Sequence, residues 1–271
     1  LLGKPGPDPR PAMRFEPAVN QLMLPEPPSF NEADISDKSS NLIDNAPPLD
    51  SDDIAQLQLD YQGRAGSLMA VDEGVGDLVQ TLRNTHQLKN TTIVFLSDNG
   101  WMQGEHRIPG DKYLPYEESL RVPLIIRGPG IPKGVKRSGQ VSNVDFAPTL
   151  LDIANAKPGR TMDGVSLLPA TKSKKRMPDR AIAIEALARL FENPNVPANR
   201  WDQPYTGVRT DDYTYVVWTE TGEKELYDLK KDPYQLNNVV DDPAYASIRD
   251  ELAAKLTTLE NCKGKACDVP E

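Results

Sequence analysis

Ile93-Val94-Phe95-Leu96-Ser97-Asp98-Asn99-Gly100 is the stretch on which the reading of this chain turns. Four apolar residues make a run short enough for a buried strand, and Ser97-Asp98-Asn99-Gly100 closes it. In open α/β sheets, ligands bind in the crevice outside the carboxyl ends of the strands. There, Asp98 and Asn99 offer hard oxygen ligands of the kind Ca²⁺ or Mg²⁺ selects, and Gly100 lets the backbone turn away sharply. Taken by itself, Asp-Asn-Gly is also an ordinary turn tripeptide. The next residues add chemistry. The loop 101–111 carries Glu105, His106 and Arg107, and Lys112 stands fourteen residues beyond Asp98. Oxygen ligands followed by His, Arg and Lys suit a pocket for an anionic substrate.

Upstream, Leu68, Val71, Val75, Leu78 and Leu82 recur at steps of three and four, which predicts a helix from about Ile54 with that stripe as its core face. Gly63, Gly66, Gly74 and Gly76 weaken its intrinsic propensity, so packing on a sheet must hold it. Asp50, Asp52 and Asp53 sit where they would cap its start. A strand following a helix suits a parallel sheet. Downstream, Val122–Arg127 reads as a second strand with Pro123 at its start, broken by Gly128-Pro129-Gly130. Residues 144–154 predict a short helix, and Lys172-Ser173-Lys174-Lys175-Arg176 a solvated linker.

Beyond the linker, Tyr205–Arg209, Tyr213–Trp218 and Glu225–Leu229 predict strands, with a turn at Thr221-Gly222. A closing helix after Asp242-Pro243 places Ile248, Leu252, Leu256 and Leu259 on one face. The expected organisation is an extended Pro-rich arm over 1–53, an α/β unit over 54–171, and a small antiparallel sheet plus helix over 172–271.

Of 271 residues, 38% are hydrophobic and 25 are Pro, so part of the length must be irregular. A net charge of −9 disfavours nucleic acid or an anionic membrane as general partners. No apolar run approaches the roughly 18 residues of a membrane span. The chain opens Leu1-Leu2-Gly3-Lys4 rather than with Met, which reads as a truncated product. Cys262 and Cys267 could close a small disulfide loop, worth roughly 2 kcal/mol in the chain-entropy model. Two free thiols are the alternative. A disulfide points to an oxidising compartment, whereas a structural zinc site would need two further ligands that do not stand nearby. Asn90-Thr91-Thr92 is a glycosylation sequon.

Several segments together resemble the sulfatase family: Leu96–Gly100, Gly104-Glu105-His106-Arg107, Lys112 with Tyr116-Glu117-Glu118-Ser119, and Arg121-Val122-Pro123-Leu124. Val144-Asp145 with Pro148-Thr149-Leu150, Asp163-Gly164-Val165-Ser166-Leu167, and Glu225-Leu226-Tyr227-Asp228-Leu229 with Asp232-Pro233 continue the match. Pro28-Ser29-Phe30-Asn31-Glu32 with Ser36-Asp37-Lys38, and the terminal cysteine pair, look most like the branch of N-acetylglucosamine-6-sulfatases and related arylsulfatases.

That resemblance, over about residues 25–271, implies an alkaline-phosphatase-like α/β fold truncated in its N-terminal half. It also implies hydrolysis of sulfate esters, from a sulfated small molecule or sulfated sugar, at a bound divalent cation. Ca²⁺ is expected there and Mg²⁺ less so. Asp98 and Asn99 match the family's second pair of metal ligands, Lys112 the lysine that touches sulfate, and His106 a pocket-lining residue expected, with Lys112, in the catalytic site and in reach of the substrate. His86 falls at a helix end, where a solvated or capping role is expected.

The family's formylglycine nucleophile arises from a Cys- or Ser-x-Pro-x-Arg element, and none exists here. The carboxylate pair of the family's first strand is missing. So is its upstream Pro-His element, near whose place Pro5-Gly6-Pro7 stands. The expectation is a C-terminal portion of a sulfatase, inactive alone, from an extracellular, lysosomal or periplasmic setting. Two other readings are a phosphodiesterase or phosphonate monoester hydrolase of the same superfamily, and a non-catalytic relic that binds sulfated glycans. The former often shows His after the strand Asp, so Asn99 favours the sulfatase.

Overall fold

The computed structural model describes residues 9–172, 177, 179–186 and 203–271. The Pro-rich arm holds two short helices, α1 (Glu16–Val19) and α2 (Ser40–Asn45), ahead of the long helix α3 (Ser51–Asn84). The Asp50 carboxylate accepts from the N–H groups of Asp52 and Asp53, and Asp53 accepts from the Asp50 N–H. This reciprocal cap satisfies donors that a helix start leaves orphaned.

The arm lies along α3, and the glycines of the helix explain how. A Cβ on Gly66 would sit 2.5 Å from Cβ of Pro11, so only a residue without one admits the arm this closely. Gln58 and Gln62 then hold the arm's backbone, donating to the carbonyls of Leu22 and Asn20, and Phe15, Val19 and Leu24 are buried. The expectation that Leu68, Val71, Val75 and Leu78 form the core face is overturned. Leu68 is 59% exposed and Leu78 53%, because α3 packs through Leu57, Gly63 and Gly66 instead and nothing among the described residues covers the other stripe.

β1 (Ile93–Leu96) and, after the single-turn α4 (Glu117–Leu120), β2 (Leu124–Arg127) pair antiparallel, with Ile93 opposite Arg127 and Leu96 opposite Leu124. This corrects the parallel expectation. Parallel neighbours need a crossover connection, whereas here the long connection folds back on itself at the strand ends, with the Gly100 and Trp101 N–H groups donating to Ser119 O and Glu118 O. α5 (Phe146–Ile153) and α6 (Leu168–Lys172) follow, the former entered through a reciprocal cap between Ser142 and Asp145. Lys172 ends α6, and residues 173–176 of the expected linker lie outside the described residues, as does Pro5-Gly6-Pro7.

The C-terminal part is a four-stranded antiparallel sheet in sequential order. Its strands are β3 (Ile182–Ala186), not anticipated from sequence, then β4 (Tyr205–Arg209), β5 (Tyr213–Trp218) and β6 (Lys224–Asp228). Alternation along β5 splits its side chains between two cores. Tyr215, with Val208 and Leu226, packs under Leu252 and Leu256 of α7 (Ala246–Glu260). Val216 and Trp218, with Tyr205 and Tyr227, meet Ile35 and Leu42 of the arm and Met102, Ile108, Leu114 and Tyr116 of the loop after β1. That second core joins three distant parts of the chain and fixes the loop that carries the site. Cys262 and Cys267 are disulfide-bonded, with Cα atoms 5.1 Å apart. Among the described residues, no helix is long and apolar enough to cross a membrane.

Candidate active site

β1 delivers Ser97-Asp98-Asn99 into a tight turn in which the Ser97 hydroxyl donates to the Asn99 carbonyl at 2.8 Å. Gly100 then passes against the end of α4. Its N–H donates to Ser119 O at 2.9 Å, and a Cβ there would fall 1.9 Å from Glu118 O, so no other residue fits. The Trp101 N–H donates to Glu118 O, and the Met102 N–H to Asp111 O at 2.9 Å, which returns the chain to Lys112 beside the turn. The Lys112 ammonium donates to Asn99 Oδ1 at 2.9 Å, while Asn99 Nδ2 donates to Gly100 O at 2.7 Å. Both Asn99 and Lys112 are half-buried, and Asp98, which precedes Asn99 in the chain, is exposed. Two residues singled out from sequence, Asn99 and Lys112, thus meet at one strand end, with Asp98 next to Asn99 in the chain.

Asp98 and Asn99 fit a hard divalent cation by donor type. They are two of the six to eight oxygens that Ca²⁺ takes. Among the described residues no group of three or more His, Cys, Asp and Glu stands together to hold a metal. Asp50, Asp52 and Asp53 are committed to the α3 cap and its first turn.

His106 is placed differently. It is 0% exposed, its Nδ1 lies 2.6 Å from Glu32 Oε2, and its ring lies against Tyr116 with centroids 4.2 Å apart. Its N–H donates to Ser29 O at 2.7 Å, and Arg107 Nε donates to Glu32 O at 2.6 Å. The loop is therefore clasped to the arm segment Pro28–Glu32. Lys38, 3.6 Å from Glu32 Oε1, extends the ionic cluster under the loop. Nothing in the sequence spacing marked Glu32 as the partner of His106, because the two stand 74 residues apart.

Two further acids control this region. Burial raises the Glu118 carboxyl above the usual range, against the pull of its own backbone hydrogen bond and the nearby His106. Glu225 on β6 is wholly enclosed and raised by burial too, against donors from Tyr227, Trp218 and Ser39. Tyr116, buried beside Glu225, has its hydroxyl held well above its ordinary value by desolvation and that carboxylate. His86, at the end of α3, is exposed and lies with none of these residues.

Comparison with known proteins identifies the family. A family model described as sulfatase matches residues 26–156, and one described as N-sulphoglucosamine sulphohydrolase, C-terminal, matches 104–262. The N-acetylglucosamine-6-sulfatase of Bos taurus is 30% identical over 96% of this chain and 50% of its own. A solved sulfated-sugar complex, described as bound to its substrate D-glucosamine-2-N,6-O-disulfate, is 33% identical with TM-score 0.69, over 78% of this chain and 43% of that one. The phosphonate monoester hydrolase of Agrobacterium radiobacter is 26% identical with TM-score 0.67, over 89% and 53%. The chain spans about half the length of the curated relatives it matches. The fold is that of the alkaline-phosphatase-like sulfatases, and the chain belongs to the sulfatase family.

Proposed function

We propose that this chain is the C-terminal half of a sulfuric ester hydrolase that acts on a sulfated sugar, with Lys112 as the cation that meets the sulfate. The contact of Lys112 Nζ with Asn99 Oδ1 at 2.9 Å carries the reading. It holds the ammonium at the strand end that carries Asp98 and Asn99. Hydrolysis breaks an S–O bond, and negative charge grows on the departing oxygen while the sulfuryl group stays anionic. A fixed cation 4 Å from such an oxygen is worth about 4 kcal/mol at an effective dielectric near 20. Preorganisation by Asn99 and by the Gly100–Ser119 and Trp101–Glu118 backbone bonds means that charge need not be reoriented during the reaction.

Asp98 and Asn99 would hold part of a Ca²⁺ shell, and the bound cation would supply Lewis-acid polarisation. The formylglycine nucleophile and the remaining ligands would come from the half of the family's length that this chain does not span. His106 would act through the loop, holding it on Glu32 rather than touching sulfate. The Cys262–Cys267 disulfide supports an extracellular, lysosomal or periplasmic setting.

The test is sulfate release from N-acetylglucosamine-6-sulfate, set against matched phosphate and phosphonate esters, by the polypeptide extended upstream through a formylglycine element. We expect sulfate to be preferred, this chain alone to be inactive, and Lys112→Ala to lower turnover by about 10²-fold with the melting temperature unchanged. Unchanged turnover would remove Lys112 from the mechanism. Preference for the phosphonate would select the second reading, which the likeness to the Agrobacterium radiobacter enzyme supports.

A further inference from the structure

At the far end of the β1–β2 ribbon from Asp98 lies a cleft of about 580 Å³ walled by Arg83, His86, Lys89, Arg127 and Lys133, with Ile131 in its apolar floor. No carboxylate lines it. In a chain of net charge −9, the segments that form it, residues 78–97 and 119–144, contain no Asp or Glu at all. Among the described residues no side chain of Lys89, Arg127 or Lys133 has an ion-pair or hydrogen-bond partner, and the Arg83 side chain is held by Gln80 of its own helix. Cations that repel one another and are left without counter-charges raise the local potential and draw in an anion.

The walls are built rather than incidental. The α3 end is closed by donation from the His86 N–H to Arg83 O and from the Gln87 N–H to Leu82 O, so its last carbonyls do not consume the cations. A single 3₁₀ turn, Leu88–Asn90, sets Lys89. Opposite it, a Cβ on Gly128 would lie 2.6 Å from Thr92 Oγ1, which fixes the turn that carries Lys133 close against the strand. At the rim, Lys172 of α6 comes within 3.6 Å of where a Cβ of Gly130 would stand.

We propose that this cleft is a second binding site, separate from the Lys112–Asn99 site, that grips a sulfated glycan chain through its sulfate groups. Its affinity for anions follows from the cleft itself; the glycan identity rests on the sulfatase reading above. A nucleic acid is the poorer fit, since single-strand binders interleave aromatic platforms with their cations and no Phe, Tyr or Trp lines this cleft.

The experiment measures binding of a fluorescent heparin oligosaccharide to the chain at low and high salt. Comparison ligands are its desulfated, N-acetylated counterpart and a single-stranded DNA of matched charge. Sulfated oligosaccharide should bind and weaken as salt rises, while the other two bind more weakly. Arg127→Glu with Lys133→Glu should cost about tenfold or more, and the milder Arg127→Gln with Lys133→Gln an intermediate loss, with both melting like the parent. Equal binding by the charge-reversed chain, or equal binding of the desulfated oligosaccharide or the DNA, would each overturn the proposal. Sulfate-ester turnover by the extended polypeptide tests the active site separately, so failure at the cleft and failure at Lys112 are told apart.

Discussion

Glu225 shows how one side chain can tie the site to the rest of the chain. Its Oε1 accepts from the Ser39 N–H at 2.9 Å and from Trp218 Nε1 at 3.0 Å, and its Oε2 from the hydroxyls of Tyr227 and Tyr116. Arm, loop and sheet therefore meet on one carboxyl. Burial raises its pKa above that of the unfolded chain, so the folded state holds this proton more tightly. Its contribution to stability is greatest at low pH and falls as pH rises through the raised value. Relative to Glu225→Gln, the parent should lose unfolding free energy as pH rises from the ordinary glutamate range toward neutral. Denaturant titrations across that window would show it, and a difference that grew in the parent's favour with pH would refute the sign. Asp98, Asn99 and Lys112 were legible in the sequence because a strand end and a short loop put them within local reach. Glu32 and Glu225 were not, since their partners come together only through the tertiary fold.

α3 argues the same point for an element. Its period and its Asp50 cap were readable, but which face it buries was decided by Pro11 meeting Gly66, a contact 55 residues away along the chain. The glycines separate the two influences. Gly74 and Gly76 have nothing within 4 Å of where a Cβ would stand, so alanine at either should gain about 0.5–1 kcal/mol through helix propensity alone. Gly66→Ala should gain the same propensity and still lower the melting temperature, because its methyl displaces the arm. If Gly66→Ala proved as stabilising as Gly74→Ala in thermal melts, the arm would not be seated there. Strands β4, β5 and β6 were legible from aromatic and β-branched runs with a Thr-Gly turn between the last two. β3 was not, since its alternating Ala and Ile, followed by Glu185, carry no turn signal and its partner strand starts nearly twenty residues later. The direction of β2 was also hidden, because strand order alone does not say whether the connection between two strands crosses over or turns back.

Across the whole molecule the apolar surface is unevenly covered. The C-terminal sheet is packed on both faces, whereas Leu68, Val71, Val75 and Leu78 of α3, Ile125 of β2 and Leu150 of α5 stand exposed. β1 and β2 form a sheet of two strands, an arrangement that is marginal without further cover. Exposed apolar stripes of this kind mark surfaces that associate, and a family twice this chain's length has the material to fill them. The chain on its own should therefore bind a hydrophobic dye and self-associate as its concentration rises. Leu68→Lys with Leu78→Lys and Ile125→Lys should suppress both while leaving helix content intact, since surface changes away from packed positions cost within about 0.5 kcal/mol each. Dye fluorescence and sedimentation measured side by side decide the matter. If the triple variant lost its helix instead, these side chains would be core after all. If the parent stayed monomeric and dark to the dye, the face would need no cover.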